Sequence, residues 1–256
     1  MFPSLRSKAS SRLRSERSCV LARRGMVCAS VPQAAAAGIE MLRRGGNAID
    51  AAVATAAVLC VVEPMQTGLG GDGFALLWLA DEGRLVGLNG SGRAPAAATP
   101  EAFRARGLNS IPATGILSAT VPGAVDAWET LSSRYGLLPL STLLEPAIVA
   151  AEEGFVVTEL VSHYWDLLQR AGALRNDAAR ETLAPRGYAP RRGERFQNLL
   201  LAATLMSVAK QGARVFYEGE IADAIVATSK AEGGLFTHAD LASHRSTFVE
   251  PITSRY

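Results

Sequence analysis

The sequence predicts a layered α/β fold in which helices outnumber strands. Three observations support this: 48% of the 256 residues are hydrophobic, helix start and stop signals recur along most of the chain, and a glycine-rich loop precedes strand-like segments. Because a pure helical bundle would not need the strand material, a layered structure fits better. The hydrophobic content also excludes a disordered chain, a collagen-like repeat and a small disulfide scaffold.

The first elements are predicted to be two helices joined by a glycine pair. A helix over residues 32–44 ends at Gly45 and Gly46, since glycine readily adopts the left-handed conformation that closes a helix. Asn47 and Asp50 have the spacing of a capping box, which begins the second helix. Its residues up to Val62 are apolar on every side, as expected for a helix buried between layers.

A glycine-rich loop, Gly68–Gly73, separates this helix from a predicted hairpin of strands 74–79 and 84–88. The loop satisfies the G-x-G-x-x-G pattern of dinucleotide-binding proteins. That interpretation requires a strand before the loop and a helix after it, whereas the order here is reversed. The four glycines instead permit positive φ angles and close packing between the buried helix and the strand.

The rest of the chain is predicted to be mainly helical, with about nine helices in all. Caps, prolines and glycine stops predict the following helices: 99–107, 121–136, 141–153, 198–210, 219–231 and a short one with a capping box at Thr237 and Asp240. Residues 172–195 are dense in arginine, proline and glycine. They are predicted to form a loop.

Positive charge is concentrated at the start of the chain. Residues 1–25 contain seven arginines and lysines and one acid, so the remaining residues carry −4 although the whole chain carries +2. A folded part with that charge and few aromatic residues predicts no nucleic-acid partner. Residues 1–25 are predicted to be a basic, disordered leader. Their composition is compatible with a transit peptide, but we prefer an unstructured extension or a misassigned start codon.

No segment has the pattern of a secretory signal or a membrane span. The leader lacks the apolar run of about 7–15 residues that a secretory signal contains. The longest apolar run ends at Glu63 and Pro64, short of the roughly 20 residues that cross a bilayer. The sequence therefore predicts a soluble, cytoplasmic protein.

Cysteine and histidine are too few and too scattered to predict a metal site. The three cysteines, Cys19, Cys28 and Cys60, form no CxxC pair. The three histidines, His163, His238 and His244, do not have the spacing of metal ligands. Cys60 lies in an apolar run and is predicted to be a small buried hydrophobic residue. We predict neither a metal nor a cofactor.

Several segments form an ordered set that extends over most of the chain. The first runs from Gly45 to Ala54, and Glu63-Pro64 and the glycine-rich loop through Phe74 follow it. Further segments are Arg93-Ala94-Pro95, Val121-Pro122-Gly123, residues 147–154, residues 216–222, Asp240-Leu241-Ala242 and residues 250–256. In this order, over roughly residues 25–256, the segments resemble the γ-glutamyltransferase (γ-glutamyltranspeptidase) family.

The resemblance implies an N-terminal-nucleophile hydrolase with an αββα sandwich. In that family one precursor cleaves itself and exposes a threonine at the start of a small subunit. The hydroxyl of this threonine attacks a small-molecule amide, and its own freed α-amine acts as the adjacent base. An acyl-enzyme forms, and water or an acceptor amine then takes the acyl group.

The nucleophile of this family lies in a Thr-Thr-His-like motif downstream of the matched segments, whereas this chain stops at Tyr256. Thr237-His238 is the one candidate in the sequence, and it lacks the preceding threonine. Helix capping explains Thr237 better. We therefore predict no catalytic residue here: residues 26–256 form the helix-rich large-subunit region of the sandwich, incomplete without a small subunit that carries the threonine.

The resemblance also suggests where the substrate binds. In γ-glutamyl-specific members an arginine two positions before Arg93 pairs with the substrate α-carboxylate, and here that position is Ser91. The Ser-Gly-Arg-Ala-Pro variant looks more like a subgroup that includes oxamate amidohydrolases. Arg93 either reaches the same anion from a shifted position or forms a structural ion pair. The alternative hypothesis for the whole chain is a non-catalytic remnant that binds a small acyl ligand or a partner chain.

Overall fold

The computed structural model describes residues 19–255. Most of the predicted leader, residues 1–18, lies outside the described residues, as does Tyr256. The remainder of that leader, residues 19–25, precedes the first helix in irregular conformation. The prediction of a disordered leader is therefore not tested by the structure.

Eleven α-helices and five short strands form the described part of the chain. The helices are α1 (Pro32–Arg43), α2 (Ala48–Val62), α3 (Pro100–Arg104), α4 (Ala124–Tyr135), α5 (Leu140–Glu152), α6 (Glu159–Arg170), α7 (Asp177–Leu183), α8 (Leu199–Gln211), α9 (Arg214–Tyr217), α10 (Glu220–Ala231) and α11 (His238–Ala242). The strands are β1 (Gly73–Leu79), β2 (Arg84–Gly90), β3 (Phe155–Val156), β4 (Arg195–Phe196) and β5 (Thr247–Val249). All strand pairing is antiparallel, in one sheet of order β1-β2-β5 and one ribbon β3-β4.

The predicted helices and the hairpin are confirmed with small shifts at their ends. The described residues form eleven α-helices where about nine were predicted, and residues 172–195 are not entirely loop, because α7 forms within them. The Asn176 side chain caps this helix by accepting a hydrogen bond of 2.8 Å from the Ala179 N–H, and Asp177 lies in the first turn. A local cap therefore outweighs the loop-like composition around it.

The core is built around α2, which packs against α1, α4 and α5. The helix is apolar on most sides, and ten of its side chains are buried. Cys60 is among them at 3% exposure, and burial raises the pKa of its thiol to about 11. The prediction that Cys60 is a small buried hydrophobic residue is confirmed.

Asp50 joins the start of α2 to the connection between α4 and α5. Its carboxylate completes the predicted capping box by accepting from the Asn47 N–H at 2.8 Å, and it also accepts from the Leu137 N–H at 3.0 Å and the Leu138 N–H at 3.4 Å. The residue is fully buried. A carboxylate in that position is satisfied only because several backbone donors converge on it.

Replacing Asp50 by asparagine is expected to lower the free energy of unfolding by about 1–3 kcal/mol, since the amide nitrogen meets a donor where the carboxylate accepted. Urea unfolding at low protein concentration measures the difference. Asp81→Asn is the matched control, because Asp81 lies exposed in the β1–β2 turn. Equal destabilisation by the two variants would contradict this role for Asp50.

The three-stranded sheet has one covered face and one open face. Its covered face packs against α4 and the core, and includes Val86 and Leu88. On the opposite face β1 exposes three large apolar side chains: Phe74 (70%), Leu76 (70%) and Trp78 (63%). We call these three residues the open sheet face.

Candidate functional site

The glycine-rich loop lies between α2 and β1, in the order helix, loop, strand that excludes the dinucleotide-binding interpretation. The loop does not use the positive φ angles that its glycines permit: the positive-φ glycines of the described chain all lie elsewhere. The Gly71 N–H donates to the Gly68 carbonyl at 3.0 Å, and this hydrogen bond closes a turn. Such a turn can form without a positive φ angle. Close packing is confirmed at Gly73, where an added Cβ would lie 2.7 Å from the Ala127 Cβ.

This loop is one of three backbone segments that meet at one place. The Gly123 and Ala124 N–H groups both donate to the Gly71 carbonyl at 2.9 Å, and the Val121 N–H donates to the Arg93 carbonyl at 3.0 Å. The glycine-rich loop, the segment after β2 and the start of α4 are thus joined by main-chain hydrogen bonds. We call this arrangement the loop junction.

Two glycines allow the loop junction to close. A Cβ atom on Gly92 would lie 1.5 Å from the Val121 carbonyl oxygen, and one on Gly123 would lie 1.7 Å from the Gly90 carbonyl oxygen. No side chain fits at such distances, so the backbones approach as only glycine permits.

Asp72 holds the segment that contains the predicted substrate-binding residues. Its Oδ1 accepts a hydrogen bond of 2.8 Å from the Gly92 N–H, and its Oδ2 lies 3.5 Å from the Ser91 Oγ. The Ser91 N–H donates to Asn89 Oδ1 at 2.9 Å, which closes a local turn. Asp72 is the one charged residue among the six of the loop, but its role was not predicted, because close packing of the glycines was sufficient to explain the loop.

Ser91 and Arg93 are both exposed at the loop junction. Arg93 makes no ion pair with any residue between 19 and 255. Its backbone, in contrast, is fixed by the hydrogen bond from Val121. The structure therefore brings the two predicted residues to one exposed edge, and their binding role stays a prediction.

Thr237 is the N-cap of α11, as predicted. Its N–H and its hydroxyl both donate to Asp240 Oδ2, at 2.8 and 2.6 Å, and the Asp240 N–H donates back to Thr237 Oγ1 at 3.2 Å. Burial opposes ionisation of Asp240, but hydrogen bonds from Thr237 and from the Ala96 N–H hold its pKa below the ordinary value. Because the Thr237 nitrogen belongs to a peptide bond, it lacks the free amine that an N-terminal nucleophile uses as its base.

A buried polar cluster lies behind the loop junction. His244 is 4% exposed and stacks on Tyr217, with 5.4 Å between ring centroids, and its Nε2 has no hydrogen-bond partner among residues 19–255. The Tyr217 hydroxyl oxygen accepts from the Asp126 N–H at 3.0 Å, while the Asp126 carboxylate accepts from the Ser246 N–H at 2.6 Å. Burial lowers the pKa of His244, against the opposing effect of the Asp126 and Asp72 carboxylates.

The lowered pKa of His244 predicts a loss of stability in acid. The folded state favours the neutral ring, so its contribution is fully present above about pH 6.5 and is lost as the pH falls through the lowered folded-state value. His244→Phe keeps the stacking and removes the titration. We measure the free energy of unfolding in urea at about pH 7.5 and about pH 5. We expect it to fall less between these two pH values for this variant than for the parent protein. Equal losses would contradict the prediction.

The described residues also bear on metal and membrane binding. Between residues 19 and 255, no group of three or more histidine, cysteine or acidic side chains is arranged to hold a metal ion. Within the same span, no helix has the length and apolar character needed to cross a membrane.

Comparison with solved structures defines the class of protein. The described fold superimposes on the cephalosporin acylase of Bacillus halodurans with a TM-score of 0.90 and 45% sequence identity, covering 98% of this chain and 47% of that one. The chain therefore has the fold of part of such an acylase. The family model for gamma-glutamyltranspeptidase matches residues 34–256, and the chain belongs to that family.

Curated relatives agree with this assignment. The chain is 38% identical to the glutathione hydrolase-like YwrD proenzyme of Bacillus subtilis over 239 residues, which is 93% of this chain and 45% of the relative. It is equally 38% identical to the oxamate amidohydrolase proenzyme of Klebsiella pneumoniae, over 91% of this chain and 44% of that protein. The chain thus spans a little under half of each relative, roughly the large-subunit region, and the oxamate enzyme is not singled out among them.

Proposed function

We propose that this chain is the large-subunit part of an enzyme that hydrolyses or transfers small acyl amides, with its nucleophile on a second polypeptide segment. The proposal rests mainly on Thr237, in a chain that belongs to this family. Its N–H and its hydroxyl both donate to Asp240 and so cap α11. A capping threonine inside the chain has neither a free amine nor an unengaged hydroxyl. As the family resemblance implies, we place the nucleophile on a threonine at the start of a small subunit.

In this proposal the small subunit attacks and this chain positions the substrate. The threonine oxygen bonds to the amide carbonyl carbon, its proton passes through the α-amine to the leaving nitrogen, and the C–N bond breaks to leave an acyl ester. Water or an amine then attacks the ester and releases the threonine. The loop junction contributes Ser91 and Arg93 to the acyl side of this site.

The substrate class follows from the residue at position 91. A bidentate arginine–carboxylate pair cannot form with Ser91, which weakens recognition of a γ-glutamyl α-carboxylate at this place. We propose small acyl amides as the preferred substrates, as the names of the acylase and the oxamate amidohydrolase suggest for those relatives.

The proposed complete fold is the αββα sandwich. The open sheet face supports it, because three exposed apolar side chains on one strand are typical of a surface that another layer covers. The second sheet that covers this face is supplied together with the small subunit. Helix α4, which packs against β1 and β2, then belongs to the helical layer on the other side.

Amide hydrolysis by this chain, alone and together with the small subunit, tests the proposal. The assay follows release of p-nitroaniline from acyl p-nitroanilides. We expect no hydrolysis above background by the chain alone and turnover once the small subunit is present. Hydrolysis by the purified chain alone would reject the proposal, and so would a complete complex that turns over no acyl amide, which would favour a non-catalytic binding protein.

A further inference from the structure

Helix α6 has an apolar stripe that no other part of residues 19–255 covers. Its inner side is anchored, because Val161 and Trp165 are buried and the Trp165 ring packs edge-on against Phe196 of strand β4, with 4.8 Å between ring centroids. Four large apolar side chains lie toward solvent, each between 37% and 66% exposed: Leu160, Tyr164, Leu167 and Leu168. We call these four residues the α6 stripe.

The α6 stripe is one continuous surface. Its residues occur at positions i, i+4, i+7 and i+8, which places them side by side along the helix. Single exposed apolar residues are common on proteins, whereas a contiguous group indicates an interaction site. The stripe is also distinct from the open sheet face, because the Trp165 contact attaches α6 to the β3–β4 ribbon and not to the three-stranded sheet.

A row of charged and titratable side chains runs beside the stripe. It has the spacing i, i+4, i+7 and i+11 and consists of Glu159, His163, Asp166 and Arg170. We call these four residues the charged row. Its midpoint lies between positions 164 and 165, and acidic and basic groups stand at equal distances from that midpoint. Glu159 is thus the counterpart of Arg170, and His163 is the counterpart of Asp166.

This order of charges makes α6 complementary to a second α6 that runs in the opposite direction. A two-fold axis at the midpoint would place Glu159 against Arg170 of the second copy and would bring the two apolar stripes together. A parallel pair would instead place each acid against the same acid. The present partners of the row are exposed ion pairs, Glu159 with Arg192 at 3.5 Å and Arg170 with Asp166 at 2.9 Å, so exchanging them costs little.

We propose that the α6 stripe and the charged row form a symmetric interface with a second copy of this chain, in which the two α6 helices are antiparallel. The complete enzyme then contains two copies of each subunit. A helix of twelve residues is about 18 Å long and about 10 Å wide, which is less than the roughly 800 Å² per partner of a standard interface. The dimer is therefore reversible and depends on concentration.

Sedimentation velocity of the complete enzyme, from about 1 to about 100 μM, tests the inference in the range of weak interfaces. We expect the mean mass to rise with concentration toward that of two copies of each subunit. Tyr164→Lys/Leu167→Lys places two charges in the stripe and is expected to raise the dissociation constant at least about tenfold. Ile111→Lys is the matched control, because Ile111 is similarly exposed but lies in a loop outside the stripe, and it is expected to change nothing.

Reversing the ends of the charged row tests the direction of the pair. Glu159→Arg alone or Arg170→Glu alone places like charges across the interface, and each is expected to raise the dissociation constant about tenfold. The double variant Glu159→Arg/Arg170→Glu makes every pair opposite again in the antiparallel arrangement. We expect it to return the dissociation constant to within about threefold of the parent value.

The outcomes distinguish this inference from the proposed function. An enzyme that keeps one copy of each subunit at all concentrations would overturn the inference and leave the small subunit as the cover of the stripe. Self-association that the double variant does not restore would overturn the antiparallel pair. Release of p-nitroaniline is measured on the same samples, and we expect it to be unchanged because no substituted residue belongs to the loop junction. Absence of hydrolysis in the parent enzyme would reject the proposed function alone.

Discussion

Replacing Gly92 by alanine is expected to lower the free energy of unfolding by more than about 3 kcal/mol, at the upper end of what overpacking costs. The new methyl carbon would lie 1.5 Å from the Val121 carbonyl oxygen, and the atom it meets is backbone, which no rotamer change can move. The segment after β2 must then leave its place. The Gly92 hydrogen bond to Asp72 and the Val121 hydrogen bond to Arg93 break with it.

Gly70→Ala is the matched control for this variant. An added Cβ there meets nothing within 4 Å, and Gly70 does not have a positive φ. We expect its stability to stay within about 0.5 kcal/mol of the parent protein. Urea unfolding of both variants at low protein concentration makes the comparison, and similar values for Gly92→Ala and Gly70→Ala would show that the loop junction is not closely packed.

The double variant Leu76→Lys/Trp78→Lys is expected to have opposite effects on the chain alone and on the complete enzyme. The open sheet face makes the isolated chain prone to aggregate, so two lysines on it should raise the soluble yield severalfold. In the proposed αββα sandwich the same lysines would be buried against the second sheet without partners. We expect assembly and amide hydrolysis to be lost.

Ile111→Lys distinguishes this effect from general removal of surface apolar area. Ile111 is 66% exposed, like the open-face residues, but lies in a loop away from the sheet. It is expected to leave both assembly and activity intact. We measure solubility by the soluble yield, assembly by size-exclusion chromatography and amide hydrolysis by p-nitroaniline release. A fully active Leu76→Lys/Trp78→Lys enzyme would contradict the proposed sandwich.

Local signals predicted the helices well because the residues that make them are neighbours in sequence. The capping boxes at Asn47 and Thr237 each span four residues, and both form as predicted. Helix α7 was missed although Asn176 and Asp177 provide the same kind of signal, since arginine and glycine around them favoured a loop. Capping chemistry is thus a better guide here than composition.

Contacts between distant segments were not predictable from the sequence pattern. Strand β5 has only three residues, and it forms because Val249 pairs with Gly87, more than 150 residues earlier. Asp72 acquires its role when β2 brings Gly92 back to the glycine-rich loop. The sequence did contain one signal for Asp72, because it is the one charged residue in that loop. His244 had no comparable signal, since its burial depends on stacking against the distant Tyr217.

The most direct test of a missing nucleophile is to locate the acyl group during turnover. The complete enzyme is quenched in acid while it hydrolyses an acyl p-nitroanilide, and intact-mass spectrometry measures the two polypeptides separately. We predict that the mass of the acyl group appears on the small subunit alone and that this chain keeps its unmodified mass. An acyl adduct on this chain, mapped to Thr237, would contradict the assignment of that residue as a helix cap and of this chain as the part that positions the substrate.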